Sequence, residues 1–324
     1  MPDVAKMSTT LLQDRLRDRA RQALYGTCVV STSPHFLAVA QSCSLDFVFI
    51  DTEHIALDRE RLAWMCQAYA AKSISPIVRV PAAYSPSVTG ALDGGAAGIV
   101  APYVETVEQA LTLVGATKLR PLKGSLLQDC LAVLAKEGNS CLTSEVQGVV
   151  TDIGYNDPLQ FLTGLVPADT LEFMRRKNNG AQVFVNIESQ TGIQNLPALL
   201  SIPGVDGVFI GPKDLSVQLG CPNDWENPAF LEACDYIVEE TARRGLAVGC
   251  HYSFSHSVEY QKRWRSLGAN LIIHESDLNL FKRALSEDML ELRSSDKGRR
   301  ESAELSGAVE QDDVVIPSAQ FLDV

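Results

Sequence analysis

The stretch Val205–Ser216, VDGVFIGPKDLS, contains an apolar run that ends at Gly211-Pro212 and is followed directly by Lys213 and Asp214. Short β-branched and aromatic runs bounded by glycine or proline are typical of buried strands. Similar runs recur along the whole chain. The sequence therefore predicts eight strands, at residues 26–31, 46–51, 75–80, 97–102, 182–188, 205–210, 247–252 and 270–275.

Amphipathic stretches separate these runs, with apolar residues three or four positions apart, as at 59–71, 107–116, 228–244 and 257–267. Strands that alternate with helices indicate a parallel sheet. Eight such units predict an α/β fold, a TIM (β/α)8 barrel over residues 26–290. The connection 122–180 is far longer than an ordinary loop and carries a helical pattern only around 169–176, so we interpret it as an insertion, either a lid or a subunit contact.

The two ends of the chain are predicted to lie outside the barrel. Residues 1–25 have the pattern of a helical segment and lack the apolar core of a signal peptide. Residues 291–324 are polar and aperiodic, which predicts a disordered tail. No apolar run approaches the roughly 20 residues of a membrane span. Eight cysteines without a CxxC spacing favour a reduced, cytoplasmic protein over a disulfide framework or a zinc site.

The charge balance excludes one large class of partners. The formal net charge is −12, and the only basic cluster is Arg175-Arg176-Lys177, which is typical of a solvated helix end. Nucleic acids are bound mainly through clustered lysine and arginine. We therefore expect neither nucleic-acid nor membrane partners, and a small-molecule substrate instead.

Polar residues collect where the predicted strands end, which is where TIM barrels carry their active sites. Asp51 and His54 follow the second strand, Arg79 lies in the third, Glu188 ends the fifth and Asp214 follows the sixth. Each residue also has a structural interpretation. Asp214 would cap a helix, His54 would be an ordinary surface or core histidine, and Arg79 would point outward to the helices. A carboxylate that continues an apolar strand, as Glu188 does, is costly to bury unless it is paired or bound to a metal.

Taken together, these residues have a chemical logic that the single interpretations lack. Glu188 and Asp214, carboxylates on adjacent strands with no cysteine or histidine beside them, suit a hard divalent ion that keeps positions for water and substrate oxygens. Arg79 would bind a carboxylate or stabilise an oxyanion. His54, three residues after Asp51, would act as a base whose tautomer the aspartate fixes.

The same residues lie in motifs that resemble the HpcH/HpaI family of metal-dependent, class II pyruvate aldolases. The matching motifs are DFVFIDTEH, PIVRVP, ALDGGAAGIVAPYVETVEQA, VNIESQTGIQNL, IPGVDGVFIGPKDLSVQLG and SDLNLFKRAL. They occur in the same order as in the family and extend over about residues 26–285. So many motifs in register make a chance match improbable.

The resemblance implies a barrel of the phosphoenolpyruvate/pyruvate-domain type with a divalent ion (Mg²⁺, Mn²⁺ or Co²⁺) held by Glu188 and Asp214. A pyruvate- or oxaloacetate-type 2-keto acid would chelate this ion, with its carboxylate at the loop Gly211, Pro212 and Lys213. Arg79 would lie at the keto or enolate oxygen, and the pair Asp51 and His54 would transfer protons. The implied reaction cleaves or forms a carbon–carbon bond in a 4-hydroxy-2-keto acid through a metal-stabilised pyruvate enolate, with an aldehyde as the partner. Oxaloacetate decarboxylation and a homo-oligomer, a hexamer or trimer of dimers, are implied as well.

Several residues depart from the family pattern. RPLKGSLLQD stands where Gly-Arg-Arg-Gly is common, Asn186 replaces a glutamine, and Ile55-Ala56 replaces Gly-Pro. Lys123-Gly124-Ser125 would reshape a loop over the substrate. The last two strand ends are more polar than usual, with His251, Tyr252, His274 and Glu275. We interpret Ser276 and Asp277 as helix caps and leave the role of the histidines, and hence the acceptor, open.

Three alternatives remain at this stage. Lys213 would serve as a Schiff-base nucleophile, since it is a lysine near a strand end. In the second alternative, the chain is a carbon–carbon bond-forming enzyme of specialised metabolism like macrophomate synthase. In the third, it is a catalytically silent barrel that binds a keto acid.

Overall fold

The strands form one closed parallel barrel. The computed structural model describes residues 12–16, 23–83, 85–146, 157–178, 180–252 and 257–304. The strands pair in sequence order, each with its neighbours, and the eighth pairs with the first. They are β1 (Leu24–Cys28), β2 (Phe47–Asp51), β3 (Ser75–Arg79), β4 (Gly98–Ala101), β5 (Gln182–Ile187), β6 (Gly207–Ile210), β7 (Ala247–Tyr252) and β8 (Leu271–Ser276). The predicted TIM barrel is confirmed.

Helices surround the barrel. They are α1 (His35–Ser42), α2 (Arg59–Ala70), α3 (Ser85–Gly94), α4 (Val107–Lys118), α5 (Gly124–Val146), α6 (Ala168–Asn178), α7 (Gln190–Leu200), α8 (Pro212–Gln218), α9 (Pro228–Arg243), α10 (Ser257–Leu267) and α11 (Asp277–Glu304). A 3-10 helix spans Pro158–Leu162. The four helices named from the sequence, now α2, α4, α9 and α10, are confirmed to within two residues.

Aromatic side chains fill the inside of the barrel. Phe47, Phe49, Phe184 and Phe209 belong to one buried cluster, and the rings of Phe184 and Phe209 meet edge to face at 5.2 Å. Glycine makes room for them, since a Cβ at Gly98 would lie 2.9 Å from the Phe184 ring. Because these rings fill the interior, ligands have room only at the ends of the strands.

Capping residues fix where several helices start. Asp58 accepts a hydrogen bond from Arg61 N at the start of α2, and Thr106 with Gln109 forms a capping box on α4. Ser189 accepts from Gly192 N at the start of α7. Such caps satisfy N–H groups that a helix cannot bond internally. The Ser189 cap also anchors the backbone directly after Glu188.

The long connection differs from its prediction. Residues 124–146 form α5, although the sequence analysis placed helix only around 169–176. The leucines and cysteine responsible, Leu127, Cys130, Leu131 and Leu134, have helical spacing and pack against the outer core. A Cβ at Gly138 would contact Ser201 O, in the turn that precedes β6. At this contact α5 reaches the amino-terminal side of β6; residues 147–156 and 179 fall outside the described ranges, and the choice between a lid and a subunit contact stays a prediction.

The ends of the chain are only partly described. Residues 12–16 are helical, and the remainder of 1–22 is outside the described residues. The tail was predicted to be disordered from residue 291, but α11 continues to Glu304, so that boundary was wrong. The rest of the predicted tail lies outside the described ranges. Within those ranges, none of the helices combines the length and the apolarity that crossing a bilayer requires.

Candidate active site

A buried ion pair joins β2 and β3 at the mouth of the barrel. Asp51 and Arg79 are direct cross-strand partners in the sheet register. Arg79 donates from Nε to Asp51 Oδ1 at 2.9 Å and from Nη2 to Oδ2 at 2.6 Å. Burial opposes ionisation of Asp51, but these hydrogen bonds hold the pKa of its carboxyl below the usual range. Arg79 therefore points into the mouth, and Asp51 fixes its plane.

His54 has Glu53 as an acidic neighbour. Both oxygens of Asp51 accept from Arg79, and that Asp51 fixes the His54 tautomer stays a prediction. The nearest acid to His54 is Glu53, whose Oε2 lies 3.8 Å from His54 Nε2 and 3.2 Å from Arg79 Nε. His54 itself is about half exposed, at 47% of its side chain. It can therefore reach solvent and a ligand in the cavity at once.

Glu188 is a buried carboxylate held by two amide donors. It is only 6% exposed. Its Oε2 accepts from Tyr103 N at 3.1 Å, and its Oε1 accepts from the Asn186 side chain. Burial raises the pKa of Glu188 to about 7, and nearby Asp214 adds to the effect. The described part of the chain supplies no lysine or arginine within 4.0 Å of this carboxylate.

Asp214 lies beside Glu188 on the first turn of α8. Gly211 is the N-cap of this helix and no side chain caps it, so the alternative that Asp214 is the cap is wrong. Gly211 N donates to Ile187 O at 3.1 Å, which brings the loop against the end of β5. A Cβ at Gly211 would lie 2.8 Å from Glu188 Cδ, so only glycine leaves room for the carboxylate.

These residues share one open cavity of about 1020 Å³ at the carboxyl ends of the strands. Its wall includes seven of the predicted site residues, namely His54, Arg79, Glu188, Gly211, Pro212, Lys213 and Asp214. Asp51 lies beneath the wall, through its bond to Arg79. The structure thus brings together the predicted site residues.

The oxygen donors in this cavity fit a hard divalent cation. Glu188 and Asp214 line the same cavity, and the described residues hold no group of three or more His, Cys, Asp or Glu that would fill a closed metal site. Mg²⁺ is characteristically bound through one or two carboxylates, with water and substrate at its other positions. A cation would stabilise the charged form of a buried carboxylate that has no basic partner.

Two contacts at this site escaped the sequence analysis. Tyr103 has a left-handed backbone, with φ of 56°, which aims its N–H at Glu188. A hydrogen bond to Glu53 raises the pKa of the Tyr103 hydroxyl to about 12. Tyr103 therefore joins Glu188 to the Glu53, His54 and Arg79 group. Its partners are 50 and 85 residues away in sequence, and the only local hint is its position directly after β4.

The two histidines left open are now distinguished. His251 on β7 lines the cavity, with its ring 5.7 Å from that of Phe49. His274 on β8 instead contacts Gln261 of α10 through Nδ1 at 3.0 Å. Ser276 Oγ accepts from Asn279 N, so the interpretation of Ser276 as a cap is confirmed. Asp277 is the first residue of α11 and accepts from Val30 N and Ser31 N, in the loop after β1, so its interpretation as a cap is wrong. Lys123, Gly124 and Ser125 are absent from the cavity wall, so within one chain they do not reshape it.

Comparisons with known proteins agree with this geometry. The profile of the HpcH/HpaI aldolase/citrate lyase family matches residues 24–283. The 2-keto-3-deoxy-L-rhamnonate aldolase of Escherichia coli K12 is 27% identical over 293 residues, which cover 90% of this chain and 97% of the relative. A solved HpcH/HpaI aldolase/citrate lyase family protein from Burkholderia cenocepacia is 26% identical, with a TM-score of 0.66 over 88% of this chain and 99% of that one. Macrophomate synthase, 24% identical with a TM-score of 0.63 over 90% of each chain, shares the fold.

Proposed function

This chain belongs to the HpcH/HpaI aldolase/citrate lyase family, and from that premise we propose that it is a metal-dependent aldolase acting on 4-hydroxy-2-keto acids. It would cleave such an acid to pyruvate and an aldehyde, or join the two in reverse. One observation carries the proposal: the buried Glu188 carboxylate shares a cavity with Asp214 and with an arginine that Asp51 already orients.

The assignment of a metal rests on the donor set. Glu188 and Asp214 would hold the ion, and Asn186 and Tyr103 N would orient Glu188. A divalent cation in this position supplies a Lewis acid that polarises the keto group of the substrate. Mg²⁺, Mn²⁺ and Co²⁺ are the candidates, because the donors are oxygens.

Residues of the chain would bind the rest of the keto acid. The first turn of α8, at Lys213 and Asp214, carries N–H groups that a helix does not use internally, and these suit a carboxylate. Arg79 would donate to the oxygen that gains charge as the bond breaks. Because Asp51 fixes the guanidinium in advance, no reorganisation of this donor is needed during the reaction.

Proton transfer is assigned to His54. In the cleavage direction a base removes the proton of the 4-hydroxyl, the bond between C3 and C4 breaks, and the aldehyde leaves as its carbonyl forms. The electron pair of the broken bond becomes the pyruvate enolate, which takes up a proton at C3. A positioned general base contributes about 10² to 10⁴-fold. Glu53, 3.8 Å from His54 Nε2, would stabilise the protonated imidazole.

A pyruvate-release assay tests the function. Substrates are oxaloacetate and a panel of 4-hydroxy-2-keto acids, each with Mg²⁺, Mn²⁺ or Co²⁺. We expect turnover that EDTA abolishes and that Glu188→Ala lacks, whereas the exposed-acid control Glu239→Ala keeps it. Activity that survives EDTA, together with a borohydride-trapped adduct on Lys213, would establish the Schiff-base alternative. Binding of Mg²⁺ and oxalate without turnover of any substrate would establish the silent barrel.

We also propose that the protein is a homo-oligomer. On α11, Phe281, Leu285 and Leu292 are spaced to share a helix face and are 63%, 44% and 59% exposed. An apolar stripe of this kind is unusual on a monomer surface and is typical of an interface. A second copy of this chain is the occupant that the family resemblance favours.

A further inference from the structure

One wall of the cavity is formed by β7, β8 and the start of α11. His251 and Glu275 line it from the strands, and Asn279 and Arg283 line it from the helix. None of these four residues has a role in the proposed handling of pyruvate. The cavity, at about 1020 Å³, is as large as pockets that hold whole drug-sized ligands, so it has room beyond a three-carbon keto acid. This wall is available for the second substrate.

His251 presents a neutral imidazole to the cavity. Its ring centroid lies 5.7 Å from that of Phe49, and Arg79 Cζ lies 5.7 Å from the same Phe49 centroid. Burial, with a smaller contribution from Arg79, lowers the pKa of His251 to about 4, so the ring is uncharged at neutral pH. The neutral ring has one donor and one acceptor nitrogen. A hydrogen bond to the Glu275 backbone fixes its orientation.

Glu275 occupies an unfavourable position for an acidic residue. It is 8% exposed and adopts a left-handed backbone with φ of 56°. That conformation costs a residue other than glycine about 1–2 kcal/mol, and burial also disfavours its charge, raising the pKa of the carboxyl. Strain of this kind persists where the surrounding structure enforces it, and it concentrates at functional sites. A glycine would relieve both costs, whereas the glutamate places a carboxyl group in the wall of the cavity.

We propose that His251 and Glu275 determine the specificity for the acceptor by hydrogen-bonding a hydroxyl group of the aldehyde. The inference rests on the proposed function, because it identifies the class of aldehyde that this site takes: hydroxyaldehydes in preference to aldehydes with an alkyl chain of the same size. The imidazole N–H is directed at the Glu275 backbone, so the other ring nitrogen and a Glu275 carboxyl oxygen are the acceptors to which the O–H of a hydroxyl group can donate.

The charges around this wall favour a neutral hydroxylated group over an acid. Lys282 and Arg283 are cationic, but Glu259 and Glu275 line the same cavity, so the positive charge is balanced. An acidic aldehyde would approach a carboxylate as readily as a cation. An alkyl group would leave the buried polar atoms of His251 and Glu275 without a hydrogen-bonding partner on the substrate. Unpaired buried polar atoms weaken binding, so the alkyl aldehyde is disfavoured.

The test uses two aldehydes that differ only by a hydroxyl in place of a methyl group, glycolaldehyde and propanal. Each is added to pyruvate with Mg²⁺, and the ratio of their kcat/KM values is measured. We expect wild type to prefer glycolaldehyde by about tenfold or more, which corresponds to one well-formed hydrogen bond. His251→Leu and Glu275→Gly should each move the ratio toward one. His274→Leu, the same substitution on a histidine that faces α10, is the matched control and should keep the wild-type ratio.

Protein stability separates specificity from damage to the fold. Because glycine accepts a left-handed backbone, Glu275→Gly should unfold at the same temperature as wild type or higher, although its selectivity is lost. A wild-type ratio near one, or a ratio that neither variant changes, overturns the inference. So does a preference for glyoxylate over glycolaldehyde, which would assign the wall to Lys282 and Arg283.

Oxaloacetate decarboxylation by wild type distinguishes the two levels of the argument. It uses only the pyruvate half of the site and no aldehyde. If decarboxylation occurs while the aldehyde ratios contradict the expectation, only the inference fails. If neither decarboxylation nor any addition product is found, the proposed function fails and the inference with it.

Discussion

Replacing Gly211 with alanine should disable the site although both proposed metal ligands, Glu188 and Asp214, are kept. The added Cβ would lie 2.5 Å from Glu188 Cγ and 2.8 Å from Cδ. Carbon atoms pack at about 3.5–4.0 Å, so the Glu188 side chain must move by about 1 Å. The backbone conformation itself does not require glycine, because Gly211 has φ of −93° and ψ of 87°, outside the left-handed region that favours glycine. The consequence is therefore a displaced carboxylate and little else.

The size of the effect follows from that displacement. A misplacement of about 1 Å typically costs about 10²-fold in rate, and overpacking a filled site costs about 1–3 kcal/mol. We expect kcat/KM for oxaloacetate decarboxylation to fall by about two orders of magnitude, with weaker Mn²⁺ binding by calorimetry and a lower Tm. Gly90→Ala is the control, because its nearest neighbour would be 3.6 Å away, an ordinary contact on a helix.

A double-mutant cycle on stability shows whether the effect acts through Glu188. When Glu188→Ala has removed the carboxylate, the Cβ at position 211 has nothing to displace, so the destabilisation by Gly211→Ala should largely disappear. An equal destabilisation in both backgrounds would refute the reasoning. Wild-type Mn²⁺ affinity in Gly211→Ala would refute it as directly.

Three further predictions follow from the same contacts. Arg79→Lys removes the bidentate hydrogen bond to Asp51, and kcat/KM should fall about 10² to 10³-fold. Most of this fall should lie in kcat, with a smaller change in KM; a loss confined to KM would assign Arg79 to binding alone. Because Arg79 depresses the pKa of Asp51, the ion pair contributes stability that is present above the unfolded pKa and is lost as pH falls through the lower folded pKa. Urea titrations from pH 7 down to pH 3 should therefore show a steeper acid loss in wild type than in Asp51→Asn, and parallel curves would contradict this. Leu285→Asp should dissociate the oligomer in light scattering, whereas Glu287→Gln, on the same helix, should not.

The barrel was predictable because each strand carries its own signal. Runs such as Val208-Phe209-Ile210 are buried on both faces, so hydrophobicity alone marks them, and the fold rule then places Glu188 and Asp214 at the same end. Arg79 could be placed in the third strand but not oriented. Only the register between β2 and β3, which no local pattern encodes, sets it against Asp51.

The missed features depend on contacts that a linear pattern does not contain. The N–H of Tyr103 reaches Glu188 because of one left-handed residue in the loop after β4. The polar residues at the last two strands were visible, but their directions were not, since neighbouring residues of a strand face opposite sides. His274 on β8 meets α10, while His251 on the neighbouring β7 lines the cavity.

The final helix couples two events that are usually considered separately. Its first turns present Asn279, Lys282, Arg283 and Ser286 to the cavity, while Phe281 and Leu285 lie exposed. If a second copy covers the exposed side, association immobilises the same turns that border the acceptor. Linkage then runs both ways: dilution loosens the grip on the second substrate, and a well-fitting second substrate tightens the assembly. The specific activity with a well-fitting aldehyde then depends on the enzyme concentration. The specific activity for decarboxylation does not, because that reaction makes no contact with this wall of the cavity.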